Sequence, residues 1–177
     1  MKHRRLVNFL GFLACFGLIA YALYAQYHLG EDPCPLCTFQ RIGILALGVA
    51  FLIAGVHNPR GWGGRVYAVL IAILALATIG VAGRHLYIQS LPPGSIPSCG
   101  APLTVLWKFT PVFQLILKVL SGSGECSQVT KVLGLSMPWW VLIWAAFLGW
   151  LGIATNARRA RPSGAAVSLS QQVPQRR

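Results

Sequence analysis

Cys34-Pro35-Leu36-Cys37 sets two thiols three residues apart, with Arg41 one helical turn beyond the second. A bridge across C-x-x-C closes a very small ring, so it constrains the unfolded chain little and is a poor staple. The same spacing is the usual one for a dithiol that opens and closes reversibly. Cys37 is expected near the amino end of a helix, whose dipole favours a thiolate. Arg41, at i+4 from Cys37, shares its helix face and brings a fixed cation within reach of whatever Cys37 meets.

Two further cysteines stand downstream. Cys99 lies in Pro92-Pro93-Gly94-Ser95-Ile96-Pro97-Ser98-Cys99-Gly100, a loop composition open to a soluble partner's thiolate, and Cys126 follows Ser123-Gly124-Glu125. The competing reading is two structural disulfides stapling loops, and four cysteines allow three pairings. A zinc site would need more ligands than one C-x-x-C and a histidine, His85, near the end of an apolar segment; no metal site is expected. Cys15 sits alone within an apolar run and reads as a small packing residue.

These residues must be positioned by a membrane domain. Of 177 residues, 55% are hydrophobic and only 10% charged, too apolar for an ordinary soluble domain. Four spans can be counted, about 6–27, 38–56, 66–88 and 138–155. Each holds roughly 18–23 residues, enough to cross a hydrocarbon layer of about 30 Å.

The net charge of +12 would ordinarily raise nucleic acid as a partner, but the basic residues are laid out by topology. Ten of the fifteen (Lys2, Arg4, Arg5, Arg60, Arg65, Arg158, Arg159, Arg161, Arg176, Arg177) fall on one side of four spans. Arg41, Arg84, Lys108, Lys118 and Lys131 fall on the other, together with all three acids, Glu31, Asp32 and Glu125. The positive-inside rule then puts both termini in the cytoplasm and no nucleic acid is implied. Cys34, Cys37, Cys99 and Cys126 land on the opposite side, where disulfides persist.

The stretch 103–120 is apolar enough to suggest a fifth crossing. It contains Lys108, Pro111 and Lys118, and a fifth span would separate Cys99 from Cys126 and carry the Arg-rich tail outside. An interfacial helix with snorkelling lysines avoids these conflicts. The first span resembles a signal peptide as far as Ala20-Tyr21-Ala22, but its apolar run continues through Leu23, Tyr24 and Ala25, so it is read as uncleaved. The expected architecture is an all-α membrane protein: a four-transmembrane-helix bundle over 1–155, with outer loops at about 28–37 and 89–137. The second loop contains the short interfacial helix, and a basic, disordered cytoplasmic tail occupies 156–177.

Taken together, Cys34-Pro35-Leu36-Cys37-Thr38-Phe39-Gln40-Arg41, Cys99, Ser123-Gly124-Glu125-Cys126 and Met137-Pro138-Trp139-Trp140 resemble the disulfide bond formation protein B (DsbB) family. The resemblance runs from about Leu6 to Thr155; Cys15 and the tail stand outside it. It implies a thiol:quinone oxidoreductase of the bacterial inner membrane, serving the chain that keeps the periplasm oxidising. By that resemblance, reduced DsbA attacks a Cys99–Cys126 disulfide, most readily at Cys99. Electrons pass to Cys34–Cys37 and then, from Cys37, to ubiquinone or menaquinone in the membrane quinone pool.

The family's C-x-x-C-x-x-x-R pattern gives Arg41 the task of stabilising negative charge on the quinone oxygens, against the plainer reading of a snorkelling interfacial arginine. His85, in Gly83-Arg84-His85-Leu86-Tyr87, resembles the family's histidine near the quinone; the plainer reading is a satisfied interface residue. Trp139, Trp140 and Trp144 suit an aromatic belt better than quinone contact. Two other functions compete: a membrane scaffold with two structural disulfides, and an enzyme like vitamin K epoxide reductase. In the latter family the C-x-x-C sits in a later helix, whereas here it opens the second.

Overall fold

The computed structural model describes residues 2–30, 33–59, 61–92, 111–121, 126, 131–132 and 134–157. Cys99, residues 103–110 of the ambiguous apolar stretch, the three acids, Arg60 and the tail from 158 lie outside these. Five helices are described: α1 (Lys2–His28), α2 (Pro35–His57), α3 (Trp62–Gln89), α4 (Val112–Ser121) and α5 (Met137–Asn156). A two-residue hairpin, β1 (Lys131–Val132) and β2 (Leu135–Ser136), pairs antiparallel with Lys131 opposite Ser136.

Four of these helices, α1, α2, α3 and α5, are long and apolar enough to cross a bilayer. The fold is therefore an all-α, four-span bundle. At ten residues, α4 is about 15 Å long, half of what a crossing requires. It occupies the second half of the stretch that suggests a fifth span and ends one residue beyond it.

Local chemistry sets the ends of the helices. Cys34 is the N-cap of α2, with extended backbone (φ −63°, ψ 163°), and Pro35 occupies the first turn, where its missing N–H costs nothing. The helix thus begins at the dithiol, three residues before the expected 38. Asn58 ends it in the left-handed region (φ 42°, ψ 51°), its N–H bonding to the Ala54 carbonyl.

Neighbours in the bundle pack α1 on α2, α2 on α3 and α3 on α5. The core between them is built from Cys15, Ile44, Leu47, Phe51, Ile71, Ala75, Ala145 and Leu148. Small residues allow the close approach. A Cβ on Gly152 would come within 2.6 Å of Ile71 Cγ2, and one on Gly48 within 2.9 Å of Cys15 Cβ. Cys15 is 1% exposed and plugs this seam. Large apolar side chains such as Leu13, Phe16, Ile53, Ile73, Leu76 and Trp150 remain exposed on the outside of the helices. A solvent of lipid tails accommodates them; water would not.

Arg4 and Arg5 lie at one end of the bundle, where α1, α2 and α5 meet. Asn8 on α1 and Asn156 on α5 exchange side-chain hydrogen bonds of 3.2 and 3.0 Å in a buried reciprocal pair. Arg4 donates to Asn156 Oδ1, and Arg5 donates to the Gly55 and Val56 carbonyls at the end of α2. Asn156 was expected to open the tail. It is instead the last residue of α5 and 2% exposed, because its amide is held by Asn8 and by the Gly152 carbonyl.

Candidate active site

The opposite end carries the sulfur chemistry. With Cys34 at the N-cap, its Sγ accepts the Cys37 N–H at 3.3 Å, while its carbonyl accepts the Thr38 N–H at 3.1 Å and Thr38 Oγ1 at 3.3 Å. One helical turn therefore brings both thiols together. Cys34 Sγ lies 3.2 Å from Cys37 Sγ, the spacing of a hydrogen-bonded dithiol. A disulfide requires about 2.0 Å, so closing the bond moves the sulfurs by little more than 1 Å.

His85 comes from the last turns of α3 and is 2% exposed. Its Nε2 lies 3.9 Å from Cys34 Sγ, and its Nδ1 lies 4.0 Å from Cys37 Sγ. The ring's own hydrogen bonds decide its tautomer. Nε2 sits 3.2 Å from the Cys126 carbonyl oxygen, which can only accept, so Nε2 carries the proton. Nδ1 is then a lone pair, and Gln40 Nε2–H donates to it at 3.0 Å. Both bonds agree on a neutral imidazole with its proton on Nε2.

Cys126 is 1% exposed and packs with Cys34, Leu36, Ile88 and Val119, with Cys37, Phe39 and Val81 against the cluster's edge. Val119 belongs to α4, so the short helix roofs the thiols. Its Phe113 and Leu117, by contrast, are exposed. Cys37 is less buried than Cys34 and forms the open side of the pair.

Arg41 reaches a different helix. Its guanidinium donates to Gln26 Oε1 and to the Ala22 carbonyl at 3.1 Å, both on α1, while remaining within electrostatic reach of Cys37. Among the described residues those bonds use two of its five N–H donors. Among the residues singled out from sequence, Cys34, Cys37, His85 and Cys126 come together, Arg41 stands beside them on the α1 side, and Cys99 lies outside the described residues. Arg84 stacks its guanidinium over the Tyr87 ring at 5.2 Å. Trp139 is exposed at the start of α5 and Trp144 packs edge-on to Phe147.

Sequence reasoning named Gln40 only as part of a motif and gave it no task. The signal was present: Gln40 is at i+3 from Cys37, on the same face, and a buried amide in an apolar segment is costly without a partner. Gln26, which anchors Arg41, carried no comparable signal, because the contact joins residues fifteen apart on two different helices.

Comparison with known proteins gives the family of the chain. A family model described as "Disulfide bond formation protein DsbB" matches residues 4–155. A protein named Disulfide bond formation protein B from Xanthomonas campestris pv. campestris is 48% identical over 137 residues, covering 76% of this chain and 80% of the relative. One of the same name from Chromobacterium violaceum is 45% identical over 146 residues, covering 80% and 88%. Another from Marinobacter nauticus is 41% identical over 152 residues, covering 85% and 90%. A match that takes in the four membrane-length helices and the dithiol at the head of the second makes this chain a multi-pass membrane protein of the disulfide bond formation protein DsbB family.

Proposed function

We propose that this protein is a thiol:quinone oxidoreductase of the bacterial inner membrane that reoxidises periplasmic DsbA, with both of its own termini in the cytoplasm. The observation that carries the reading is the dithiol at the amino end of a membrane-length helix, in contact with one neutral imidazole. Thiol chemistry at a bilayer surface suits an electron acceptor dissolved in lipid.

The electron count is simple. A reduced DsbA dithiol exchanges with the Cys99–Cys126 disulfide through a mixed disulfide, and the resulting dithiol exchanges with Cys34–Cys37. Each exchange moves two electrons and conserves the number of disulfides. Closing Cys34–Cys37 again releases two electrons and two protons. Ubiquinone or menaquinone, when bound, supplies the oxidising power and leaves as quinol.

This chain's residues suit that acceptor. Cys37 is the more open sulfur, and Phe39 and Val81 offer apolar surface beside it. Arg41 is a fixed cation held by Gln26 and Ala22, placed to favour negative charge on a quinone oxygen. His85 Nδ1 faces Cys37 as a lone pair and is the nearby acceptor for the thiol proton, once Gln40 yields it. The burial of Cys34 and Cys126 in one cluster supports direct exchange between the inner and outer pairs.

The test mixes purified protein, reduced DsbA and a short-chain quinone. Loss of quinone absorbance that requires DsbA is expected. A protein that leaves quinone untouched under these conditions overturns the reading and favours a scaffold.

A further inference from the structure

We propose that the reduced Cys34/Cys37 pair and His85 form a Cys2His site for a thiophilic d10 cation of the zinc class, so that metal and electron transfer compete for the same sulfurs. One C-x-x-C in sequence does not make a zinc site. The fold supplies the third donor from α3, and the sulfur and nitrogen atoms of the three residues lie within 4.8 Å of one another.

The geometry is near that of a tetrahedral centre. Bonds of about 2.3 Å to sulfur and 2.0–2.1 Å to nitrogen imply edges of about 3.8 Å between sulfurs and 3.6 Å between sulfur and nitrogen. The present distances are 3.2 Å between the sulfurs and 3.9 Å from Cys34 Sγ to His85 Nε2. The sulfurs must part by about 0.6 Å, Cys34 Sγ must approach Nε2 by about 0.3 Å, and Cys37 Sγ, within 4.8 Å of the other donors, has up to about 1.2 Å to close, shifts that side-chain torsions can supply.

Gln40 makes the imidazole usable as a ligand. Coordination through Nε2 requires that nitrogen to lose its proton, so the proton must sit on Nδ1. Gln40 now donates to Nδ1. A half-turn of its amide presents Oε1 instead and accepts the new Nδ1–H, the outer support that metal-bound histidines ordinarily have. The Cys126 carbonyl, now 3.2 Å from Nε2 on the side the metal would take, must swing aside as the ion binds, and a water fills the fourth position.

The charges also balance. Two thiol protons leave as the dication binds, the imidazole proton moves from one ring nitrogen to the other, and no electrons are transferred. Two thiolates and a dication give a neutral centre, which a buried site at a membrane surface tolerates far better than a net charge. Metal binding itself needs neither quinone nor DsbA and is tested apart from the proposed function; only the competition with electron transfer rests on that reading.

The experiment uses the full chain in lipid nanodiscs with Cys15→Ala, Cys99→Ser and Cys126→Ser, leaving two thiols. Reduced, metal-stripped protein is titrated with Co²⁺ and then Zn²⁺. One Co²⁺ per chain is expected, with a thiolate-to-cobalt charge-transfer band that Zn²⁺ displaces and prior oxidation abolishes. Zn²⁺ should also protect both thiols from maleimide. His85→Ala should weaken Zn²⁺ binding at least about tenfold, and Gln40→Leu about 10- to 100-fold, whereas Gln40→Glu should bind at least as tightly as the parent. Absence of the band, one metal per two chains, or an affinity indifferent to His85→Ala overturns the proposal. Should His85→Ala fail to fold, equal affinities in Gln40→Leu and Gln40→Glu overturn it.

Discussion

The Gln40 amide on α2 donates to His85 Nδ1 on α3 at 3.0 Å, so a residue of the C-x-x-C helix supports the imidazole tautomer that carries its proton on Nε2. The other ring nitrogen donates to the Cys126 carbonyl, tying that choice to the segment after α4. Gln40→Leu removes the donor and leaves a buried nitrogen unpaired, a loss of about 1–3 kcal/mol. Quinone reduction should slow about tenfold while the KM for DsbA is unchanged. Equal slowing with an altered KM for DsbA would show that Gln40 acts on docking instead.

Arg41 offers a second test, because its anchors on α1 leave it beside Cys37 and not upon it. Arg41→His should raise the apparent KM for quinone about 10- to 100-fold, matching the roughly 1.5–3 kcal/mol of a hydrogen bond to a charged group. Binding of DsbA should be retained. Unaltered quinone kinetics would remove Arg41 from the acceptor site.

The cysteines separate by burial and company. Cys34→Ser, Cys37→Ser, Cys99→Ser or Cys126→Ser should each abolish steady-state DsbA reoxidation. Cys15→Ala should keep it, since Cys15 packs in the core seam far along the sequence from the dithiol. A scaffold would show the opposite pattern, with turnover absent throughout and only melting temperature affected.

At the other end of the bundle, Asn8→Ala leaves Asn156 without its reciprocal amide. Buried polar pairs between membrane helices are worth about 0.6–1.7 kcal/mol. A double-mutant cycle with Asn156→Ala, read by unfolding in mixed micelles, should give coupling in that range. Near-zero coupling would mean that the Asn8–Asn156 pair adds nothing to the packing of α1 there.

Orientation is open to reporter fusions. Alkaline phosphatase joined after residue 130 should be active, and the same enzyme joined after residue 177 should be silent. The reverse result would invert the topology drawn from the Lys and Arg distribution.

Much of the fold was legible because lipid imposes a simple rule: each crossing must be a long apolar run that satisfies its own backbone. The four helices follow from that rule. Their ends were less legible, since capping by Cys34 and pairing by Asn156 extend α2 and α5 past the hydropathy limits. The site was half legible. C-x-x-C spacing is a local property, so the pairing of Cys34 with Cys37 could be read directly.

What the linear chain determined, then, was the chemistry on offer: a dithiol opening a helix, a cation one turn on, and four lipid-length segments. Only the tertiary structure decided the company those groups keep. The imidazole of His85 stands 51 residues from Cys34 and 45 from Gln40, and Cys126 is 41 further on. No local pattern encodes such meetings, because they arise when helices pack and each buried polar atom must find a partner there.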